Sequence, residues 1–138
     1  MPVDLIYGKW YVVDRLSEDS TYVLERYNSP EEIIYFRFHD RYGEKFEFHE
    51  NGEFIGRMDH WCGTCGSRRS LGIWKWNDKT GVLFIEIKKE QHIAIGVSDE
   101  PVEFNEEWWE FKVIEASDNK LVLKLLKSAA KSQHYSIL

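Results

Sequence analysis

Short runs in which apolar and polar residues alternate recur along the chain, and turn-forming residues separate them. Alternation with a period of two indicates β-strands that bury one face, and turns at near-even spacing favour an antiparallel sheet. The predicted strands cover residues 8–16, 33–38, 44–48, 53–61, 69–76, 82–88, 91–97, 108–116 and 121–126. Because an open sheet of this length would expose its edges, eight or nine such strands favour closure into a barrel.

Three segments interrupt the alternation and are candidates for short helices. In residues 17–27 we expect Tyr22, Val23 and Leu24 to pack at the barrel mouth from a short helix. Residues 29–32 resemble a helix start, and residues 127–133 are a third candidate. A length of 138 residues fits one domain. The predicted fold is therefore all-β: a single up-and-down antiparallel β-barrel of eight or nine strands over residues 1–138, with short helical segments at most.

The charge and hydropathy of the chain exclude several classes of partner. A formal net charge of −6 disfavours binding to phosphate backbones and to anionic membrane surfaces, and the sequence has no basic stripe. No apolar run approaches the roughly 20 residues that a membrane-spanning helix needs. We therefore expect no nucleic-acid partner and no transmembrane segment. The sequence leaves open whether the protein is a monomer or a homodimer.

Catalytic and metal-binding motifs are not apparent. The five histidines (His39, His49, His60, His92 and His134) do not stand at metal-binding spacing, and no nucleophile elbow or phosphate loop occurs. We therefore expect no enzyme, no cofactor and no bound metal. The alternative is an isomerase or cyclase that uses an inward-facing ionisable group, for which the candidates are Arg37, Glu86 and His92.

The segment Cys62-Gly63-Thr64-Cys65 is the sharpest local feature of the sequence. A loop disulfide, two free thiols and part of a metal site all remain open, although a zinc site needs four ligands and no second pair of this kind exists. A bonded pair, together with a removed leader, would favour an exported or periplasmic protein. Without these, the absence of a secretory signal in this chain favours the cytoplasm.

Gly8-Lys9-Trp10 resembles the Gly-x-Trp signature at the first strand of the lipocalins. Further segments resemble the bacterial lipocalin-like branch of the calycin superfamily: Phe46-x-Phe48-x-x-x-Gly52-x-Phe54, Gly72-x-Trp74-x-Trp76, Trp109-x-Phe111-x-Val113 and Asn119-Lys120-Leu121-x-Leu123. The resemblance implies that Gly8 and Trp10 close one end of the barrel. It also implies a cation from the last strands on the Trp10 ring, which we expect to be Lys124 or Lys127. A cavity for an apolar small molecule is implied as well.

We expect large inward-facing side chains to line this cavity. The candidate ligand-binding residues are Tyr35, Phe46, Phe48, Met58, Trp74, Trp76, Phe84, Trp109 and Phe111. The leading hypothesis is that the barrel binds a small hydrophobic or aromatic molecule. The alternative is that the rings fill the barrel and the protein is a non-enzymatic interaction module. Its partner would then contact either the acidic loop at residues 98–106 or the outer face at Trp108, because adjacent residues of a strand face opposite sides.

Overall fold

Eight antiparallel strands close into a barrel in the computed structural model, which describes residues 1–16, 20–27, 44–59, 67–94, 97–98 and 102–129. The strands of these residues are β1 (Gly8–Leu16), β2 (Thr21–Arg26), β3 (Glu44–Phe48), β4 (Glu53–Asp59), β5 (Ser67–Asn77), β6 (Val82–Ala94), β7 (Val97–Ser98), β8 (Val102–Ala116) and β9 (Lys120–Ala129). A 3-10 turn, Val3–Leu5, precedes β1 and is the only helical element in the described ranges.

The order of strands around the barrel is β1-β3-β4-β5-β6-β8-β9-β2, and the pairing of β2 with β1 closes the circle. Each of these strands runs antiparallel to both neighbours. The short β7 pairs with the last two residues of β6. This arrangement confirms the predicted all-β, up-and-down antiparallel barrel. It departs from a simple meander because β1 lies between β2 and β3.

Two expected helices are strands in the structure. Thr21–Arg26 forms β2 and pairs with both β1 and β9, so the short helix predicted for residues 17–27 is wrong there. The predicted tail helix is wrong for residues 127–129, which belong to β9. Predicted strand 33–38 and predicted helix start 29–32 lie outside the described residues.

The long strand β6 covers predicted strand 82–88 and the first four residues, 91–94, of predicted strand 91–97. It bends rather than ends at the charged sequence Lys88-Lys89-Glu90, because its pairing with both β5 and β8 shifts register close to Ile87. A β-bulge of this kind re-aims the side chains that follow it. As a consequence Glu90, and not Lys89, lies on the inner face opposite Ser70.

The hydrophobic core lies inside the barrel and is richest toward one end. Leu83, Ile85 and Ile87 alternate with outward residues along β6, and each of the three is fully buried. Phe111 of β8 and Leu121 and Leu123 of β9 complete the same core. Alternation along the strands, interrupted at the bulges, thus produces the buried interior that the sequence predicted.

Candidate binding site

The end of the barrel that holds the 3-10 turn, here called the closed end, is sealed by Trp10. The Trp10 side chain is fully buried, and its indole Nε1 donates a hydrogen bond of 2.8 Å to the carbonyl of Ile6. Ile6 is also fully buried and follows directly on the 3-10 turn. The turn therefore folds across the barrel end as a lid held by Trp10.

Arg26 fixes this lid to the barrel. Its guanidinium carbon lies 4.2 Å from the centroid of the Trp10 ring, a cation–π distance. The same guanidinium donates hydrogen bonds to the carbonyls of Leu5 (3.2 Å), Asp118 (2.6 Å) and Tyr7. Burial lowers the pKa of Arg26, and the charge of Asp118 acts in the opposite direction. One cation thus joins the lid, the Trp10 ring and the β8–β9 turn.

The structure corrects the predicted cation on the Trp10 ring. Lys124 and Lys127 are exposed on β9, and Arg26 of β2 lies on the ring instead. The reason is the strand order, since β2 and not β9 is the neighbour of β1. Gly8 fits this contact because it has a φ of +121° and a Cβ there would overlap the Arg26 guanidinium.

Aromatic rings fill the half of the barrel next to Trp10, here called the closed half. Four predicted ligand-binding residues, Phe46, Phe48, Trp74 and Phe111, are buried here together with Phe54. Neighbouring ring centroids are 5.4 Å apart for Phe48–Phe54 and 5.5 Å apart for both Phe46–Phe54 and Phe48–Trp74. These separations are typical of rings in direct contact. This half is therefore packed core.

The opposite end, here called the charged end, is built differently. Tyr22, Ser70, Trp109 and Leu125 face inward by register, yet all four are only half-buried. Trp109 contacts the core from the side of the charged end, with its ring centroid 6.4 Å from that of Phe111. Solvent therefore reaches these four inward-facing side chains, whereas Phe46, Phe48, Phe54 and Trp74 of the closed half retain almost no exposure.

Charged side chains line the charged end. Glu44, Arg68, Glu90 and Glu107 occupy inward register positions on β3, β5, β6 and β8. Arg68 is 6% exposed, and Glu90 and Glu107 are each 1% exposed. Arg68 Nε lies 3.4 Å from Glu90 Oε1. Removal of such charges from water is costly, and paired burial alone is weak evidence of a stabilising role.

The remaining predicted site residues lie in different parts of the structure. Trp76 faces inward, half-buried, and packs on the core. Phe84 was expected to line the cavity, but this is wrong: it faces outward, with its ring 6.1 Å from that of Trp108. The backbone of Met58 pairs with that of Glu44 in β3. Tyr35, Cys62 and Cys65, and with them the possible disulfide, lie outside the described residues.

The sequence analysis did not predict Glu44, Arg68, Glu90 and Glu107 as residues of the inner face. A signal existed for Glu107, because it precedes Trp109 by two positions and alternation places both on one face. Glu44 likewise precedes Phe46 by two positions. No comparable signal existed for Glu90, since the bulge in β6 breaks the alternation.

Two other regions, one polar and one concave, lie away from the charged end. On the outer face of β3, Glu47 lies 3.3 Å from His49 Nε2 and 3.5 Å from Arg57 Nε. At the closed end, a depression of about 280 Å³ is lined by Tyr7–Lys9 and Phe48–Glu50.

Within the described ranges, no three His, Cys, Asp or Glu side chains are placed to hold a metal ion. No helix of those ranges is long and apolar enough to cross a bilayer.

Comparison of the chain with protein-family models, with curated proteins and with solved structures gave no match.

Proposed function

We propose that this barrel binds a small molecule at its charged end, in the manner of a lipocalin-like carrier. The observation that supports the proposal is the contrast between the two halves of the interior. Rings fill the closed half, whereas Tyr22 and Trp109 face inward at the charged end and keep solvent exposure. A site with an aromatic floor and a few convergent polar groups is typical of small-molecule recognition.

The geometry of the interior limits where the ligand contacts the protein. Phe48, Trp74 and Phe111 belong to the packed core, so they support the site from below rather than line it. The contact surface consists of Trp109 and Tyr22, with the charged side chains around them. The apolar part of a ligand would then lie on Trp109, and its polar part would lie toward Arg68 and Glu90.

Fluorescence titration with N-phenyl-1-naphthylamine, a neutral aromatic probe, tests the proposal. We expect the probe to bind and the variant Trp109→Leu to weaken binding at least about tenfold, because the aromatic floor is lost. Phe84→Leu is the matched control: it removes an aromatic ring from the outer face and should leave the dissociation constant unchanged. Circular dichroism establishes that both variants are folded. Equal effects of the two variants, or no binding by the parent protein, would contradict the proposal.

An interaction module remains the second candidate, and one observation favours it. Ile114 is 58% exposed and Leu126 is 48% exposed, both on the outside of the barrel. Trp108 is half-buried against Phe84 on the same outer face of the sheet. Native mass spectrometry separates the two candidates, because a retained small molecule adds mass to the monomer and self-association gives a dimer.

A further inference from the structure

We infer that Gly56 determines how much room the charged end offers to a ligand, and that it acts through the ring of Phe54. The inference rests on the proposed function, and it names a positioning residue for that same site. It is carried by the packing of Gly56, Phe54 and Trp109 on the inner face of the barrel.

Gly56 is buried on the inner face of β4, where its backbone pairs with that of Phe46 in β3. Phe54 lies two positions away on the same strand, and residues at this spacing share a face. A Cβ at position 56 would lie 3.2 Å from Phe54 Cε2 and 3.4 Å from Phe54 Cζ. The Phe54 ring therefore occupies the space that a side chain at position 56 would need.

The obstacle to a larger residue at position 56 is this ring and not the backbone. The φ of Gly56 lies outside the left-handed range, so an alanine can adopt the same backbone conformation. Carbon atoms in van der Waals contact are about 3.5–4.0 Å apart. An alanine Cβ therefore requires the Phe54 ring to move by a few tenths of an ångström.

The neighbours of Phe54 decide where its ring moves. The ring centroids of Phe46 and Phe48 lie 5.5 Å and 5.4 Å away, and both of these side chains are buried in the core. Trp109 lies 6.5 Å away, edge-on at 86°, and is only half-buried. Because a close-packed interior transmits a displacement, we expect the ring to move toward the side that yields, which is Trp109.

The consequence for the ligand follows from the position of Trp109. In the proposed site the apolar part of the ligand lies on Trp109, so a displaced Trp109 ring narrows the space beside it. Glycine at position 56 keeps the Phe54 ring against β4 and keeps that space open. Gly56 thus acts on the ligand without touching it.

A double-mutant cycle with N-phenyl-1-naphthylamine tests the inference. Gly56→Ala should weaken binding of the probe about fivefold, because the new methyl group displaces the Phe54 ring. Phe54→Leu removes the ring carbons that meet this methyl group, so in that background Gly56→Ala should change the dissociation constant by less than about twofold. An equal loss in both backgrounds, or no loss in either, overturns the inference, while binding of the probe by the parent protein still supports the proposed function.

The ¹⁵N–¹H indole signal of Trp109 gives a second readout, which needs no probe and no Phe54 variant. In the ligand-free protein Gly56→Ala should shift this signal. Val122→Ile is the matched control, because it adds one methyl group on the outer face of β9, opposite Val23, and should leave the signal in place. A Trp109 signal that stays in place in Gly56→Ala overturns the inference. If the signal shifts but the parent protein binds no probe, the proposed function fails and the packing of Gly56 against Phe54 and Trp109 stands.

Discussion

Replacement of Arg26 by Met tests whether one cation holds the closed end together. The guanidinium joins three carbonyls that belong to the lid, the start of β1 and the β8–β9 turn, and it covers the ring of Trp10. Met preserves much of the apolar stem but donates no hydrogen bond and carries no charge. The substitution therefore removes the polar contacts and keeps most of the packing.

The expected cost follows from these contacts. A hydrogen bond from a charged donor contributes about 1.5–3 kcal/mol when it is shielded from water, and two of the three bonds of Arg26 are partly buried. The bond to Asp118 is exposed and contributes less. The cation–π contact with Trp10 adds about 1 kcal/mol, and relief of the desolvation of Arg26 offsets part of the total. We therefore expect Arg26→Met to lower the free energy of unfolding by about 3 kcal/mol.

Urea denaturation followed by tryptophan fluorescence measures this loss. Arg26→Lys keeps the charge but cannot reach all three carbonyls, so it should lose about 2 kcal/mol. Lys124→Met is the control, because Lys124 is exposed and should cost less than about 0.5 kcal/mol. A loss below about 1 kcal/mol for Arg26→Met, or an equal loss for Lys124→Met, would refute the reasoning.

Three further changes test other parts of the fold. Gly72→Ala should lower the free energy of unfolding by at least about 2 kcal/mol in urea, because its Cβ would overlap the carbonyl oxygen of Glu86; unchanged stability would contradict that packing. Trp74→Phe should cost about 1–2 kcal/mol in thermal unfolding, since the indole donates a 2.9 Å hydrogen bond to a carbonyl of the β3–β4 turn; no change in midpoint would refute it. Replacement of the exposed Ile114 and Leu126 by Ser should change stability by less than about 0.5 kcal/mol each. If this surface mediates a dimer, the same variants should weaken the dimer in sedimentation experiments. A loss of stability above that limit would show that the two side chains are buried.

Most strands were predictable from sequence because alternation is a local signal, and their number favoured closure into a barrel. Alternation failed at β2, where Tyr22, Val23 and Leu24 form an uninterrupted apolar run. Val23 lies on the outer face between inward Tyr22 and Leu24, and it is half-buried there. An apolar residue on both faces removes the period of two, so the segment did not indicate a strand. The position of β1 between β2 and β3 follows from long-range pairing, which no local pattern encodes.

The site was only partly predictable for a related reason. The Gly8–Trp10 signature located the closed end, but the cation on Trp10 depends on which strand borders β1. Phe84 was wrongly predicted to face inward because apolar residues occupy both faces of its segment, Val82–Ile87. Glu90 reaches the interior through a β-bulge, and the sequence Lys88-Lys89-Glu90 by itself predicts a solvated turn.

The most direct test of a ligand site at the charged end is a ¹⁵N–¹H spectrum of the tryptophan indoles, recorded as N-phenyl-1-naphthylamine is added. The variants Trp109→Phe and Trp10→Phe assign the two informative signals. Binding at the charged end predicts that the indole signal of Trp109 shifts in proportion to occupancy while that of Trp10 stays in place. A shift of Trp10 with none at Trp109, or no shift of either signal at saturating probe, would contradict it.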